Sequence, residues 1–171
     1  LAHKSSAFLT CRGGSLREKK GRFIQLLTVE IVDTQQIASF RKMVEAYWQE
    51  LMPKASVVQT QEARDAYFTS RFIWDGSLNQ PRWALVDGRP IGFIHVEVSE
   101  SRQWAQVEDF YVIPEVRRKG YGRAMVQWMF AHFDRLGVEQ IDLSARRDNP
   151  NALRFWEAQG FGIALYHMRQ Y

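Results

Sequence analysis

An α/β fold, one mixed sheet covered by helices on both faces, is what these 171 residues predict. Three observations carry that expectation. Stretches that alternate with a period of two take turns with stretches whose apolar residues recur every three or four, in the order βααβββαβαβ. The later helical stretches open and close on glycine, asparagine and proline signals that set their ends. A two-residue Asp87-Gly88 turn makes a hairpin in the middle of the chain, so the sheet is not wholly parallel.

The elements follow in order. Residues 23–32 alternate, with Leu27, Val29 and Ile31 on one side, and read as the first strand. Asp33 caps the next helix, and Gln36 completes a capping box. Its apolar face is Ile37, Phe40, Val44, Tyr47, Trp48 and Leu51, and Pro53 stops it. A second helix is expected over 60–71, with Tyr67, Phe68 and Phe72 on its aromatic side, followed by a loop through Asp75-Gly76 and Asn79-Gln80-Pro81. The hairpin pairs 83–86 with 91–99, and 100–103 turn into a strand over 104–113. A helix over 121–136 ends at Gly137, and 140–145 form a short strand. Asn149 and Pro150 open the last helix, Gly160 closes it, and 162–170 read as the final strand.

Composition narrows the function classes. Hydrophobic residues make up 46% of the chain, with six Trp and eleven Phe, which is enough for one sizeable core and excludes a disordered chain. No apolar run approaches the roughly eighteen residues of a membrane span. The single cysteine, Cys11, excludes an internal disulfide framework and a cysteine metal cluster, and fits a reducing cytoplasm. Net charge is +4, but residues 1–22 hold six cations against one carboxylate, a net of +5, which leaves 23–171 at −1. The basic character therefore sits in residues 1–22, expected to be a flexible tail, and the domain over 23–171 carries no nucleic-acid signature. No metal site, no nucleic acid and no membrane are expected, and a homodimer stays open.

The chemistry concentrates in Arg117-Arg118-Lys119-Gly120-Tyr121-Gly122-Arg123-Ala124, which joins the strand ending Phe110-Tyr111-Val112-Ile113-Pro114 to a helix N-terminus. Unpaired N–H groups and the helix dipole make an anion seat there, and glycine lets a phosphate approach the main chain. It is not a P-loop, because no Gly-Lys-Ser/Thr ends it, and the third glycine of a dinucleotide fingerprint is missing. The spacing Arg-x-x-Gly-x-Gly resembles the pyrophosphate loop of the GNAT superfamily of acyl-CoA N-acyltransferases. The stretch Asn149-x-x-Ala152-x-x-Phe155-Trp156, closed by Gly160-Phe161, is similar to that superfamily's later motif, in the order and at the distance the family requires.

The resemblance covers roughly residues 27–171 and implies acetyl-CoA as co-substrate, bound between strands 104–113 and 140–145. It implies that the Phe110, Tyr111 and Val112 backbone meets the acyl group and pantetheine. It also implies that Arg117, Arg118, Lys119, Gly120, Tyr121, Gly122 and Arg123 hold the pyrophosphate, with Asn149, Ala152 and Trp156 beside them. The string Glu108-Asp109-Phe110-Tyr111-Val112 is similar to the strand of diamine N-acetyltransferases and implies Glu108 as general base. Adjacent strand residues face opposite ways, so Glu108 and Asp109 are not expected to share the cleft. His95 is the rival base; if paired residues sum to 203, it lies opposite Glu108, and Glu97 lies opposite Gln106. Where the family has a tyrosine to protonate the leaving thiolate, this chain has Trp156, whose indole donates a hydrogen bond but transfers no proton. Tyr111 and Tyr166 are candidate substitutes.

The expected function is transfer of an acetyl group from acetyl-CoA to a primary amine of a small molecule, by direct attack in a ternary complex. The alternatives are acetylation of a protein N-terminus or lysine, and a catalytically inactive acyl-CoA sensor.

Overall fold

A computed structural model describes residues 27–51, 60–72, 74–75 and 77–164. Strand β1 (Leu27–Ile31) leads through a turn of 3-10 helix at Thr34–Gln36 into α1 (Ile37–Leu51) and α2 (Gln61–Arg71). Three antiparallel strands follow, β2 (Arg82–Val86), β3 (Arg89–Val98) and β4 (Trp104–Val112). Then come α3 (Tyr121–Leu136), β5 (Gln140–Leu143) and α4 (Pro150–Glu157). The sheet runs β1-β2-β3-β4-β5, and only β4 and β5 are parallel, which is the pair that α3 joins as a crossover helix.

Local chemistry explains the element ends. Asp33 accepts from the Gln35 N–H at 2.7 Å while the Gln36 side chain accepts from the Asp33 N–H at 3.1 Å, so the capping box forms as the sequence predicts. Asp87 and Gly88 both take positive φ (50° and 72°), the type I′ turn whose twist matches its strands. Thr60 caps α2 and Asn149 caps α4, each accepting one N–H of the first turn.

Two cores lie on either side of the sheet. Ile94, Val96, Val98, Ala105 and Val107 point to one face, against Met125, Val126, Met129 and Phe133 of α3 and Trp156 of α4. Trp83, Leu85, Phe93 and Tyr111 point to the other, against Phe40 and Val44 of α1 and Phe68 of α2. The second core is aromatic. Phe40 meets Phe72, Trp83 and Phe93 edge-on with centroids 5.0–5.2 Å apart, the arrangement aromatic quadrupoles favour.

At the C-terminal end, residues 162–164 of the expected final strand carry no regular structure, and 165–170 lie outside the described residues. The tail over 1–22 and the beginning of the first expected strand also lie outside them.

Candidate active site

The register of β4 decides the site. Its first half pairs as expected: Val96 faces Val107, Glu97 faces Gln106 and Val98 faces Ala105, each pair summing to 203. Between His95 and Val96 the register shifts, and His95 faces Asp109 instead of Glu108. The cause is a β-bulge, two residues on one strand opposite one on the next. Side-chain direction shows it independently. Val107 and Phe110, three apart, both pack on the α3/α4 face, so Glu108 and Asp109 both turn to the α1/α2 face. The expectation that they point oppositely is corrected, because strict alternation holds only while the ladder is regular.

The bulge gathers a polar cluster. Arg71, the last residue of α2, bonds the Glu108 carboxylate through Nη1 (2.7 Å) and the Glu108 carbonyl through Nη2 (3.1 Å). Its Nε bonds the Asp109 carboxylate at 3.1 Å. Asp109 accepts from His95 Nδ1 at 3.0 Å, and the His95 ring packs 4.9 Å from Phe72. Burial pushes the Asp109 carboxyl up, but the His95 hydrogen bond and the Arg71 charge more than offset this and hold it below its usual value. The Tyr47 phenol is pushed well above its usual value, by burial first and then by the charge of Asp109 and a hydrogen bond to it. The side chains of Asp109 and His95 are 6% and 7% exposed, while Glu108 keeps 22%.

The same bulge ends the pairing of β4 with β5, whose last pair is Val107 with Leu143. Beyond it, β4 is bonded to β3 alone. The Ile113 N–H donates to the Ile91 carbonyl on the β3 side, and the Val112 carbonyl accepts from Arg117 Nε at 2.8 Å on the other. Backbone groups of successive strand residues face alternate edges, so the Phe110 and Val112 N–H groups face the gap that β5 leaves.

The glycine loop lies at the end of this gap. Gly120 takes φ +92° as the N-cap of α3, a conformation that strains any side-chain-bearing residue, and no side chain caps the helix. The first N–H groups of a sixteen-residue helix thus remain open to an anion. Arg118, Lys119 and Arg123 are exposed around it, and Tyr121 is half-buried. Two loop residues do other work. A Cβ on Gly122 would press 3.2 Å from the Phe155 ring, so this glycine lets α3 approach α4. Arg117 is held by both oxygens of Glu50 in α1 (2.7 and 2.6 Å) and lies 5.5 Å over the Tyr111 ring.

Asn149 accepts from the Ala152 N–H at 3.1 Å as a helix cap, and Ala152 packs into the α3/α4 core. Trp156 is buried against Phe110, Phe155 and Phe161, with centroids 5.0–5.2 Å away. Tyr111 lies on the opposite face from Trp156, against Tyr47, and burial raises its phenol pKa. Tyr166 falls outside the described residues.

Arg71, Tyr47 and Glu50 are site residues that sequence reasoning missed. Tyr47 carried a signal, since a hydroxyl on the buried stripe of a helix needs a partner. So did Arg71, a cation closing a helix beside Tyr67 and Phe68. Among the described residues no group of three or more His, Cys, Asp or Glu forms a metal cluster, and no helix is long and apolar enough to cross a membrane.

Comparison with known proteins bears on this arrangement. A family model described as Acetyltransferase (GNAT) family matches residues 40–161, well over half of the chain. An uncharacterized N-acetyltransferase of Methanocaldococcus jannaschii is 26% identical over 81 residues, 44% of this chain and 36% of the relative. The peptidyl-lysine N-acetyltransferase YiaC of Escherichia coli (strain K12) is 28% identical over 119 residues, 68% of this chain and 62% of the relative. The chain thus spans less than two thirds of the length of either relative. A structure from Clostridium difficile 630, described as a possible acetyltransferase, superposes with a TM-score of 0.67 at 17% identity, over 86% of this chain and 97% of that one. An aminoglycoside acetyltransferase from an uncultured soil metagenomic sample, in complex with sisomicin, superposes with a TM-score of 0.62 at 16% identity, over 85% and 95%. At these identities the structures share a fold.

Proposed function

The chain belongs to the GNAT acetyltransferase family, and on that premise we propose that it moves an acetyl group from acetyl-CoA to a primary amine by direct attack in a ternary complex. One observation carries the reading. The β4 edge vacated by β5 and the uncapped N-terminus of α3 lie on one strand–loop–helix unit, a slot for an acyl arm with an anion seat at its end.

The residues fit acetyl-CoA. The amides of 118–123, with the charges of Arg118, Lys119 and Arg123, hold the pyrophosphate. The 110–112 backbone lines the pantetheine and acyl group, and Asn149, Ala152 and Trp156 flank it. Arg117 contributes by fixing the Val112 carbonyl rather than by reaching the phosphates. The amine nitrogen bonds to the acetyl carbonyl carbon and the carbon–sulfur bond breaks. The Phe110 N–H faces the carbonyl oxygen, where charge develops, the largest single contribution such a site makes. Sulfur leaves as thiolate, which a thiol pKa of about 8.5 allows without a strong acid. Trp156 then serves as an apolar wall.

The acceptor's proton goes to Glu108, the most exposed of the three candidate proton acceptors at the bulge, Glu108, Asp109 and His95. A second reading has its own observation: Asp109 holds His95 Nδ1, which leaves the Nε2 lone pair free to act as base. The acceptor is a small-molecule amine in our reading. The relative YiaC supports a protein lysine as the alternative, and an acyl-CoA sensor is the alternative outside catalysis.

Free-thiol release from acetyl-CoA across a panel of small amines and lysine peptides tests the proposal. Release with one class names the acceptor. No release with any amine, despite tight acetyl-CoA binding, replaces the enzyme by the sensor.

A further inference from the structure

We propose that Arg71 is the positioning residue of this site: by holding the bulge at Glu108 and Asp109 it sets where β4 parts from β5, and so where the Phe110 N–H points. The proposal rests on the acetyl-transfer reading for its kinetic consequence, though not for its geometry.

A bulge at this place carries two liabilities. It turns one peptide out of the ladder, and here it also sets two carboxylates side by side on one face. Arg71 answers both. Its three nitrogens take three different acceptors on two consecutive residues: the Glu108 carboxylate, the Glu108 carbonyl and the Asp109 carboxylate. A guanidinium fork can do this because its donors diverge in one plane, whereas an ammonium is a single point of charge. The fork is itself aimed by its helix. Phe68 and Phe72 fasten the end of α2 into the aromatic core, and Arg41 ties α1 to α2 through Asp65. Pairing between β4 and β5 stops one residue before the first that Arg71 holds. Two residues after that first one comes Phe110, whose N–H the proposed mechanism uses.

Charge neutralisation alone would also explain a cation beside Asp109, and the two accounts part at lysine. Arg71→Lys keeps the charge but not the three-way grip. The expected result is a fall in kcat of about a hundredfold, the cost of misplacing a reacting group by an ångström or so. Affinity for acetyl-CoA, read by calorimetry, should stay within about threefold, because the anion seat is untouched. The residual dipolar coupling of the Phe110 N–H, which reports the direction of that bond, should change as well. A lysine variant with wild-type kcat and an unchanged Phe110 coupling overturns the proposal, as does a loss carried entirely by acetyl-CoA affinity. Should the lysine variant fail to fold, Arg71→Gln and Arg71→Ala are compared by the Phe110 coupling: both lack the charge but glutamine keeps a planar donor, so its coupling should lie nearer wild type, and equal couplings overturn the proposal. If the wild-type protein releases no thiol with any amine, the proposed function fails by itself; the positioning role then stands or falls on the Phe110 coupling alone.

Discussion

The two halves of β4 differ in what holds them. Trp104–Val107 is bonded to β3 on one side and β5 on the other, keeps strict alternation, and contains no titratable side chain. From Glu108 to Val112 the strand keeps only β3, and side chains from distant elements take over. Arg71 of α2 accounts for the Glu108 carbonyl, and Arg117, itself held by Glu50 of α1, for the Val112 carbonyl. Buried main-chain groups must find partners. A strand that gives up a ladder therefore needs guanidinium groups at the ends of the gap, and the groups left between them face the site. The proposed chemistry falls in the half where side chains have replaced the sheet.

Substitutions can break that contrast, and the largest effect is expected at Glu108. Glu108→Gln should lower kcat/KM by roughly two to four orders of magnitude and flatten the acidic limb of the pH–rate profile. Gln106→Ala, in the doubly paired half, should leave kcat/KM within about twofold. An unchanged acidic limb in Glu108→Gln would transfer the proton to His95.

Gly92 faces Val112 in the half that lacks β5, and a Cβ there would overlap the Tyr111 carbonyl oxygen. If Arg117 and β3 hold this segment firmly, Gly92→Ala should cost about 3 kcal/mol of stability, in the upper range of overpacking. Urea denaturation measures it. A cost near zero would mean that the segment yields, and that the gap is soft.

Trp156 flanks the gap from the other face, and its effect should be smaller. Trp156→Phe is expected to reduce kcat by no more than about tenfold, the worth of one modest hydrogen bond. Trp156→Tyr should match or exceed wild type. A thousandfold loss in the phenylalanine variant, with folding and acetyl-CoA affinity preserved, would make the indole part of the chemistry.

The smallest effect separates the two faces of the sheet by pH. On the α3 side His132 stacks on Trp128, and its Nε2 is buried without a partner. Burial first, then the charges of Arg82 and Arg135, bring its pKa down to about 4. A histidine whose folded pKa is depressed adds stability above its unfolded value of about 6.5, and that stability is lost as pH falls toward the folded value. Asp109 is a carboxyl with a depressed folded pKa, so its contribution persists throughout this window and is lost only in stronger acid. Urea midpoints should therefore decline from pH 6.5 to 4 in wild type and hold steadier in His132→Phe. An equal decline in both proteins would remove His132 as the source of the acid sensitivity.

Much of this molecule is legible residue by residue. The span of α3 follows from Gly120 and Gly137, both in left-handed conformations that end a helix. The hairpin follows from Asp87-Gly88, and the start of α4 from Asn149-Pro150. The uncapped start of α3 is equally local, since a strand, a glycine loop and a helix N-terminus are consecutive in the chain. The gap beside Phe110 was expected from family resemblance, and the pairing of β4 with β5 places its start after Val107.

The sequence by itself determined the order of elements through α4, the turns and the caps, because each depends on residues within a few positions of one another. Only the tertiary structure decided that His95 meets Asp109, that Glu108 and Asp109 share a face, and that Tyr47, Arg71 and Glu50 belong to the site. A bulge shifts the register by one residue, and nothing in the alternation of β4 marks where. Its place is selected by a guanidinium that lies 37 and 38 positions earlier in the chain and reaches the strand through the packing of α2. Contacts at that separation form only once the aromatic core has set the helix against the sheet.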